Sequence, residues 1–223
     1  MDGPAGSGKS TTARRVAERL GWLYLDTGAM YRAIGLAFLE AGLPFTDEAA
    51  RVVTARTEVD LQPAPGGARV LLDGADVTDR VRSREAAEAA SHVSALGPVR
   101  EAMVAAQRRL AGRAAHEGTG IVVEGRDIGT VVFPEAEVKV FIDADLDARA
   151  RRRHAELTAR SDDSPSLEDV TAEIAVRDER DRDRALAPLR PAPGAVLLDT
   201  TALTVEEQVE RVLALVHAAQ APD

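Results

Sequence analysis

Residues 3–10 read Gly3-Pro4-Ala5-Gly6-Ser7-Gly8-Lys9-Ser10, the spacing G-x-x-x-x-G-K-[ST] of a phosphate-binding loop. Small residues let successive backbone N–H groups wrap a phosphate, and a helix starting near Lys9 directs its positive end at it. Lys9 would bridge terminal phosphates, and the Ser10 hydroxyl would coordinate Mg²⁺. This points to a nucleoside triphosphate and leaves the reaction open. A second constellation is Arg177-x-x-x-Asp181-x-x-Arg184, whose i, i+4, i+7 spacing puts three charges on one helix face. Arg149, Arg152 and Arg153 stand on the helix before it. Guanidinium forks match phosphate oxygens, so this helix pair is a candidate acceptor half for phosphoryl transfer. With Asp178, Glu179 and Asp183 among them, the same charges also suit a solvated helix laced with ion pairs.

Composition narrows the class. The 223 residues are 45% hydrophobic and 29% charged, enough for one large α/β domain or a core with an insert. Asn is absent, so the N-K-x-D signature of a guanine-specific switch cannot occur. Val138–Ile142 ends in one acid, Asp143, where a motor or transport ATPase would usually carry an acidic pair. Cys is absent too, which excludes disulfides, thiol catalysis and cysteine zinc sites. The four histidines, His92, His116, His154 and His217, are scattered with no ligand spacing. A net charge of −9 argues against a protein that coats nucleic acid. No run approaches a membrane span, and Met1-Asp2-Gly3-Pro4 does not start like a signal peptide, so a cytoplasmic setting is expected. Only two lysines occur, Lys9 and Lys139, in a chain that otherwise uses Arg. What remains is a small phosphoryl-transfer kinase.

The positioning elements follow from periodicity. Ala13, Val16, Ala17 and Leu20 predict a helix after the loop, stopped at Gly21. Trp22–Leu25 predicts a buried strand, Asp26-Thr27-Gly28 a turn, and Met30 to Ala41 a second helix stopped at Gly42. Thr46 predicts the N-cap of a third helix reaching about Arg56. Between about 58 and 82 the period changes to that of a small antiparallel island, broken at Pro63, Pro65, Gly66 and Gly67, and a helix follows from Ser83. Further helices are predicted over Val99–Ala114, Asp147–Arg160, Ser166–Ala185 and Thr204–Ala218, the last with a Thr204-x-x-Glu207 capping box. Strands are predicted at Ile121–Val123, Val138–Ile142 and Ala195–Leu198. Strands alternating with helices imply a parallel sheet covered on both faces. Only Met1 and Asp2 precede the loop where a strand of about five residues is usual, so further strand residues are expected upstream in the gene.

The chain resembles the bacterial cytidylate kinases, a nucleoside monophosphate kinase family. The resemblance rests on Asp2-Gly3-Pro4-x-Gly6-x-Gly8-Lys9, on Leu25-Asp26-Thr27-Gly28-Ala29-Met30-Tyr31-Arg32, on Gly125-Arg126-Asp127-Ile128-Gly129-Thr130-Val131-Val132, and on Arg177-Asp178-x-x-Asp181-x-x-Arg184 ahead of Ala187-Pro188-Leu189. It covers essentially the whole chain. It implies an α/β P-loop kinase core over 1–57 and 83–223 with a helical lid at about 147–185. The antiparallel insert at 58–82 would contribute to the acceptor site. It implies transfer from ATP, with Mg²⁺, to CMP or dCMP, by a monomer that binds neither nucleic acid nor membrane.

The resemblance also implies roles by position. Gly3 to Thr11 and Arg152 would bind ATP, with Lys9, Arg126, Arg153 and Arg184 catalytic. Thr27 and Tyr31 would line the acceptor pocket, and Arg32, Arg126 and Arg184 would hold its phosphate. Ser91, Arg100 and Asp127 would read cytosine, and Arg177 and Asp181 would reach the sugar. Glu124, where some relatives carry Asp, would touch the Mg²⁺ shell through water without being a ligand. Two alternatives stay open from the residues alone. One is a kinase for a different monophosphate or a sugar-like acid, and the other is a nucleotide-binding regulatory module without turnover.

Overall fold

A computed structural model describes residues 1–64, 67–159 and 165–221. In chain order the elements are α1 (Lys9–Leu20), β1 (Leu23–Asp26), α2 (Thr27–Ala41), α3 (Asp47–Thr54), β2 (Val59–Ala64), β3 (Gly67–Leu72), β4 (Ala75–Asp76), α4 (Arg84–Val93), α5 (Gly97–His116) and β5 (Ile121–Glu124). Then follow β6 (Val140–Asp143), α6 (Leu146–Thr158), α7 (Leu167–Asp183), β7 (Val196–Asp199) and α8 (Val205–Gln220). Short turns of tighter or wider helix lie at Arg80–Arg82 and Ile128–Val132. The chain divides into two compact units, one of Met1–Val16 with Gly125–Asp223 and the other of Ala17–Glu124.

Within the unit Ala17–Glu124, β1 and β5 pair in parallel, with Leu25 opposite Val123 and Asp26 opposite Glu124. β2, β3 and β4 form the antiparallel sheet expected between 58 and 82. The core is built on α2, where Met30, Ala33, Ile34 and Phe38 are fully buried. α2 lies close against α4 because Gly35 has no side chain; a Cβ there would come within 3.0 Å of Ala89 Cβ. The Thr46 hydroxyl caps α3 by accepting from Ala49 N, as its position predicts. Gly42 ends α2 in the left-handed conformation at φ 61°.

Within the other unit, Asp2 makes parallel bridges to Gly125 and to Phe141, and β6 pairs in parallel with β7. Asp2 N donates to Val140 O at 2.9 Å, and Ile142 N donates to Asp2 O at 2.8 Å. α6 and α7 pack through Ala150, Val170 and Ile174. The Thr204–Glu207 capping box opens α8.

Several expectations are corrected. Asp26-Thr27-Gly28 is no turn: β1 runs to Asp26, whose carboxylate caps α2 by accepting from Ala29 N at 2.8 Å, and the helix begins at Thr27. The strand predicted at Trp22–Leu25 is buried only at Leu25. The strand predicted from Val138 starts at Val140. α3 stops at Thr54, short of Arg56. α7 stops at Asp183, so Arg184 leaves the helix with ψ 129°. β7 is not covered on both faces, since Val196 is 43% and Leu197 67% exposed. The helical turn at Ile128–Val132 has no counterpart in the predicted elements. The predicted break at Pro65-Gly66, the predicted helix end at Arg160 and all but Pro165 of the polar run Ser161 to Pro165, read as joining two helices, lie outside the described residues. Among the described residues no helix is long and apolar enough to cross a membrane.

Candidate active site

The loop Gly3–Gly8 is shaped by close approaches that exclude side chains. A Cβ on Gly3 would come within 2.0 Å of Ile142 O, and one on Gly6, where φ is 73°, within 2.8 Å of Arg149 O. The Ser7 hydroxyl donates to Pro4 O at 3.0 Å, and the buried Lys9 ammonium donates to the same carbonyl at 3.1 Å. Thr200 donates its hydroxyl to Ser7 O at 3.0 Å, and Thr12 donates to Gln208 Oε1 at 2.8 Å, fixing the first turn of α1. Ser10 is exposed at the start of α1, and Thr11 follows it half-buried.

α6 and α7 also hold this loop. Arg149 donates from Nε to Ala144 O at 2.8 Å and from its terminal nitrogen to Ala5 O at 3.2 Å. The same nitrogen forms a buried ion pair with Asp178, whose other oxygen accepts from Ala5 N at 3.4 Å. Arg152 donates to Thr200 Oγ1 at 3.2 Å, to Thr200 O and, at 3.5 Å, to Ser7 O. Partial burial draws the Arg152 guanidinium below its ordinary value, against the opposing charge of Asp199. Arg153 is turned along its own helix to Glu156 at 3.0 Å.

Three arginines surround one carboxylate in the same unit. Asp181, 2% exposed, accepts from Arg126 Nε at 2.8 Å and from Arg184 at 2.5 Å. Burial alone would raise the Asp181 carboxyl. The guanidinium charges of Arg126 and Arg184, with Arg177 adding a smaller share, outweigh it and hold the carboxyl below the usual range. Arg184 reaches this point from beyond the end of α7, because the chain folds back there: Leu189 N donates to Asp181 O at 2.7 Å. The i, i+7 alignment predicted for it is therefore replaced by a helix end. Asp127 is buried beside Arg126, at the entry to the Ile128–Val132 turn.

The unit Ala17–Glu124 holds the remaining candidates. Arg32 donates to Asp26 Oδ2 at 3.0 Å, one turn into α2. Thr27 is buried and donates its hydroxyl to Glu124 O at 2.7 Å. Tyr31 is half-buried on the same helix. Glu124 is buried at the end of β5 and accepts from the Tyr24 hydroxyl at 2.9 Å. Burial first, then the charges of Glu124 and Asp26, push the Tyr24 phenol far above its ordinary value. Ser91 is half-buried on α4, and its carbonyl accepts from Ser94. Arg100 is buried in the first turn of α5 and not a surface arginine. The scattered histidines include His92, which stacks on Phe45 with centroids 5.1 Å apart.

The family model for cytidylate kinase matches residues 1–218. The chain belongs to the cytidylate kinase family. The cytidylate kinase of Geobacillus kaustophilus strain HTA426 is 51% identical over 218 residues, 97% of this chain and 95% of that protein. The cytidylate kinase of Salinibacter ruber is 50% identical, over 98% and 96% of the two chains. That of Pseudomonas syringae pv. tomato is 44% identical, over 96% and 92%. A solved structure from Thermus thermophilus superposes on 99% of this chain and 96% of its own, with TM-score 0.47 and 20% identity.

Sequence reasoning assigned no site role to Asp2, Asp178, Thr200 or Gln208. Asp2 and Asp178 stand inside the cytidylate kinase motifs, which was the available signal. Arg149, counted above among the arginines of the candidate acceptor half, instead fastens the phosphate loop at Ala5. Thr200 and Gln208 meet the loop from nearly 200 residues away, and nothing local marks them.

Proposed function

We infer that this chain transfers the terminal phosphoryl group of ATP to CMP or dCMP, giving ADP and CDP or dCDP. Membership of the cytidylate kinase family over residues 1–218, with an intact phosphate loop at its start, carries that reading. An oxygen of the acceptor phosphate forms the new P–O bond as the bond from the terminal phosphorus to the ADP oxygen breaks. The acceptor is already an anion at neutral pH, so no side chain need take a proton. Catalysis is then positioning and charge neutralisation.

Lys9 and the loop Gly3–Ser10, with Thr11, would hold the triphosphate, and the bracing of Ser7 by Thr200 and Arg152 supports a preformed cradle. Among the described residues no three His, Asp or Glu side chains converge as a metal cage. The exposed Ser10 hydroxyl suits Mg²⁺ held through one oxygen, phosphates and water. When bound, Mg²⁺ supplies charge neutralisation at the transferred group.

Arg126 and Arg184 would hold the acceptor phosphate together with Arg32, and Asp127, Ser91 and Arg100 would read cytosine. Cytosine offers an N4 donor beside N3 and O2 acceptors, which a carboxylate and an arginine match. Thr27 and Tyr31 would line the pocket, Arg177 would reach the sugar, and Arg153 would turn to ATP. We extend the proposal to a lid at about 147–185, an acceptor-side insert at 58–82, a monomer, and a cytoplasmic setting. Water must be kept out during transfer, since it would otherwise hydrolyse ATP.

The test is ADP release by the purified protein with CMP, dCMP, UMP, AMP and GMP as acceptors. CMP and dCMP should lead, with UMP behind and purines inactive. A purine preference would overturn the acceptor, and tight ATP binding without turnover on any acceptor would favour a regulatory module.

A further inference from the structure

Asp2 carries two hydrogen bonds that the proposed chemistry does not use. Its Oδ1 accepts from Ile128 N and its Oδ2 from Gly129 N, each at 2.8 Å, and it is 4% exposed. These are the first two N–H groups of the Ile128–Val132 turn, the groups that a helical turn leaves without internal partners. The residue that would ordinarily cap them is Asp127, which stands at the N-cap position. Its side chain makes no capping bond, and its backbone stands at φ −141° and ψ 25°. Asp2 caps the turn from another part of the chain, a task that Asp127 does not perform.

The backbone of Asp2 is itself immobile. It is bonded to Val140 O and Ile142 N on β6 and bridged to Gly125 on its other side. Gly129 fits only as glycine, since a Cβ there would come within 2.9 Å of Ala192 Cβ and 3.5 Å of Asp2 Oδ2. We propose that Asp2 is a positioning residue for the acceptor side of the reaction: its carboxylate fixes the turn that follows Arg126 and Asp127 and so holds the two in place. This rests on the acceptor roles proposed above for Arg126 and Asp127. The ATP loop, although it begins at the next residue, has its own braces in Pro4, Thr200 and Arg152.

The test is Asp2→Asn, which keeps the shape, leaves one oxygen to accept, and turns an NH₂ against the second N–H. The acceptor KM should rise about tenfold or more, the size expected for one lost charge-assisted hydrogen bond. The ATP KM should stay within about twofold, and the CMP over UMP ratio in kcat/KM should narrow. A purely structural role would lower the melting temperature and move both KM values alike, and that result would overturn the proposal. So would unchanged kinetics in a folded variant. Should Asp2→Asn not fold, Gly129→Ala pushes the same turn away from Asp2 and must give the same split between acceptor and ATP, or the proposal fails. Asp127→Asn is measured alongside. If it leaves the CMP over UMP ratio unchanged, base reading by Asp127 is wrong, and positioning by Asp2 is then decided by the KM split alone.

Discussion

Replacing Asp181 with Asn separates two readings of one carboxylate. The resemblance assigns Asp181 to the sugar, whereas both of its oxygens are engaged by Arg126 and Arg184 at 2.8 and 2.5 Å. An amide retains one acceptor and turns its NH₂ against the other guanidinium. One charge-assisted bond is lost, and two arginine side chains only 17% and 14% exposed lose their counter-charge. A lost bond to a charged group costs ~1.5–3 kcal/mol and a broken buried pair ~3–5. Residual water contact at the arginines places the sum near ~2–3 kcal/mol, or roughly 4–12 °C in Tm for a chain of this size.

The pH dependence has a definite sign. The folded carboxyl lies below its unfolded value, so its stabilisation is present above about pH 4, the unfolded carboxylate range, and is lost as pH falls through the folded value. Melting curves of the wild type and Asp181→Asn should therefore be well separated at pH 7 and draw together in acid. Because the loss falls on the arginines proposed to hold phosphate, kcat/KM for CMP and dCMP should drop by similar factors. A tenfold change in the CMP to dCMP ratio with Tm unaltered would refute the arginine-holding role and restore the sugar contact.

Lys9→Ala should lower kcat by roughly 10³-fold or more with the fold intact, and Lys9→Arg should also be poor, because a planar fork does not replace a point charge; near-normal steady-state turnover in either would remove the loop from the ATP site. Asp127→Asn should narrow the CMP over UMP preference by about tenfold to a few hundredfold, while Arg126→Ala weakens both acceptors alike; kcat/KM for both nucleotides in both variants decides it, and the reverse pattern would end the division between base-reading and phosphate-holding residues. Arg149→Met leaves Asp178 buried without its partner and should cost ~3–5 kcal/mol of stability, with much of it regained in Arg149→Met/Asp178→Leu; a thermal melt of the single variant matching the wild type would show the ion pair to be energetically idle.

Local patterns in the sequence carried much of the fold. The glycine loop into α1, the Thr46 cap, the Gly42 stop and the Thr204–Glu207 box each depend on residues within a few positions, and each appears where predicted. The strand ends are less legible. Asp26 reads as a turn residue because Asp favours turns, yet here the same preference serves as a helix cap at a strand terminus. Arg184 was placed on a helix face by spacing alone, while the fold-back that stops α7 depends on Leu189 returning to Asp181. The largest blind spot concerns groups that act across the chain. That Asp2 caps residues 128 and 129, or that Arg149 fastens Ala5, follows from packing that no window of sequence contains.

The split of one unit into residues 1–16 and 125–223 has a consequence for how the protein comes into being. The ribosome makes the phosphate loop before the rest of its unit, but Asp2 finds its strand neighbours only after Gly125 and Phe141 are made, and Thr12 finds Gln208 later still. At ~5–20 residues per second, the 196 positions between Thr12 and Gln208 correspond to a wait of ~10–40 s. Within that interval the unit Ala17–Glu124 is made as one continuous stretch of chain, before the residues that brace the loop at Ala5 and Ser7. Shaping of the loop is therefore a late event, since Ile142, Arg149 and Thr200, which approach or brace it, all lie C-terminal to Glu124 in the chain.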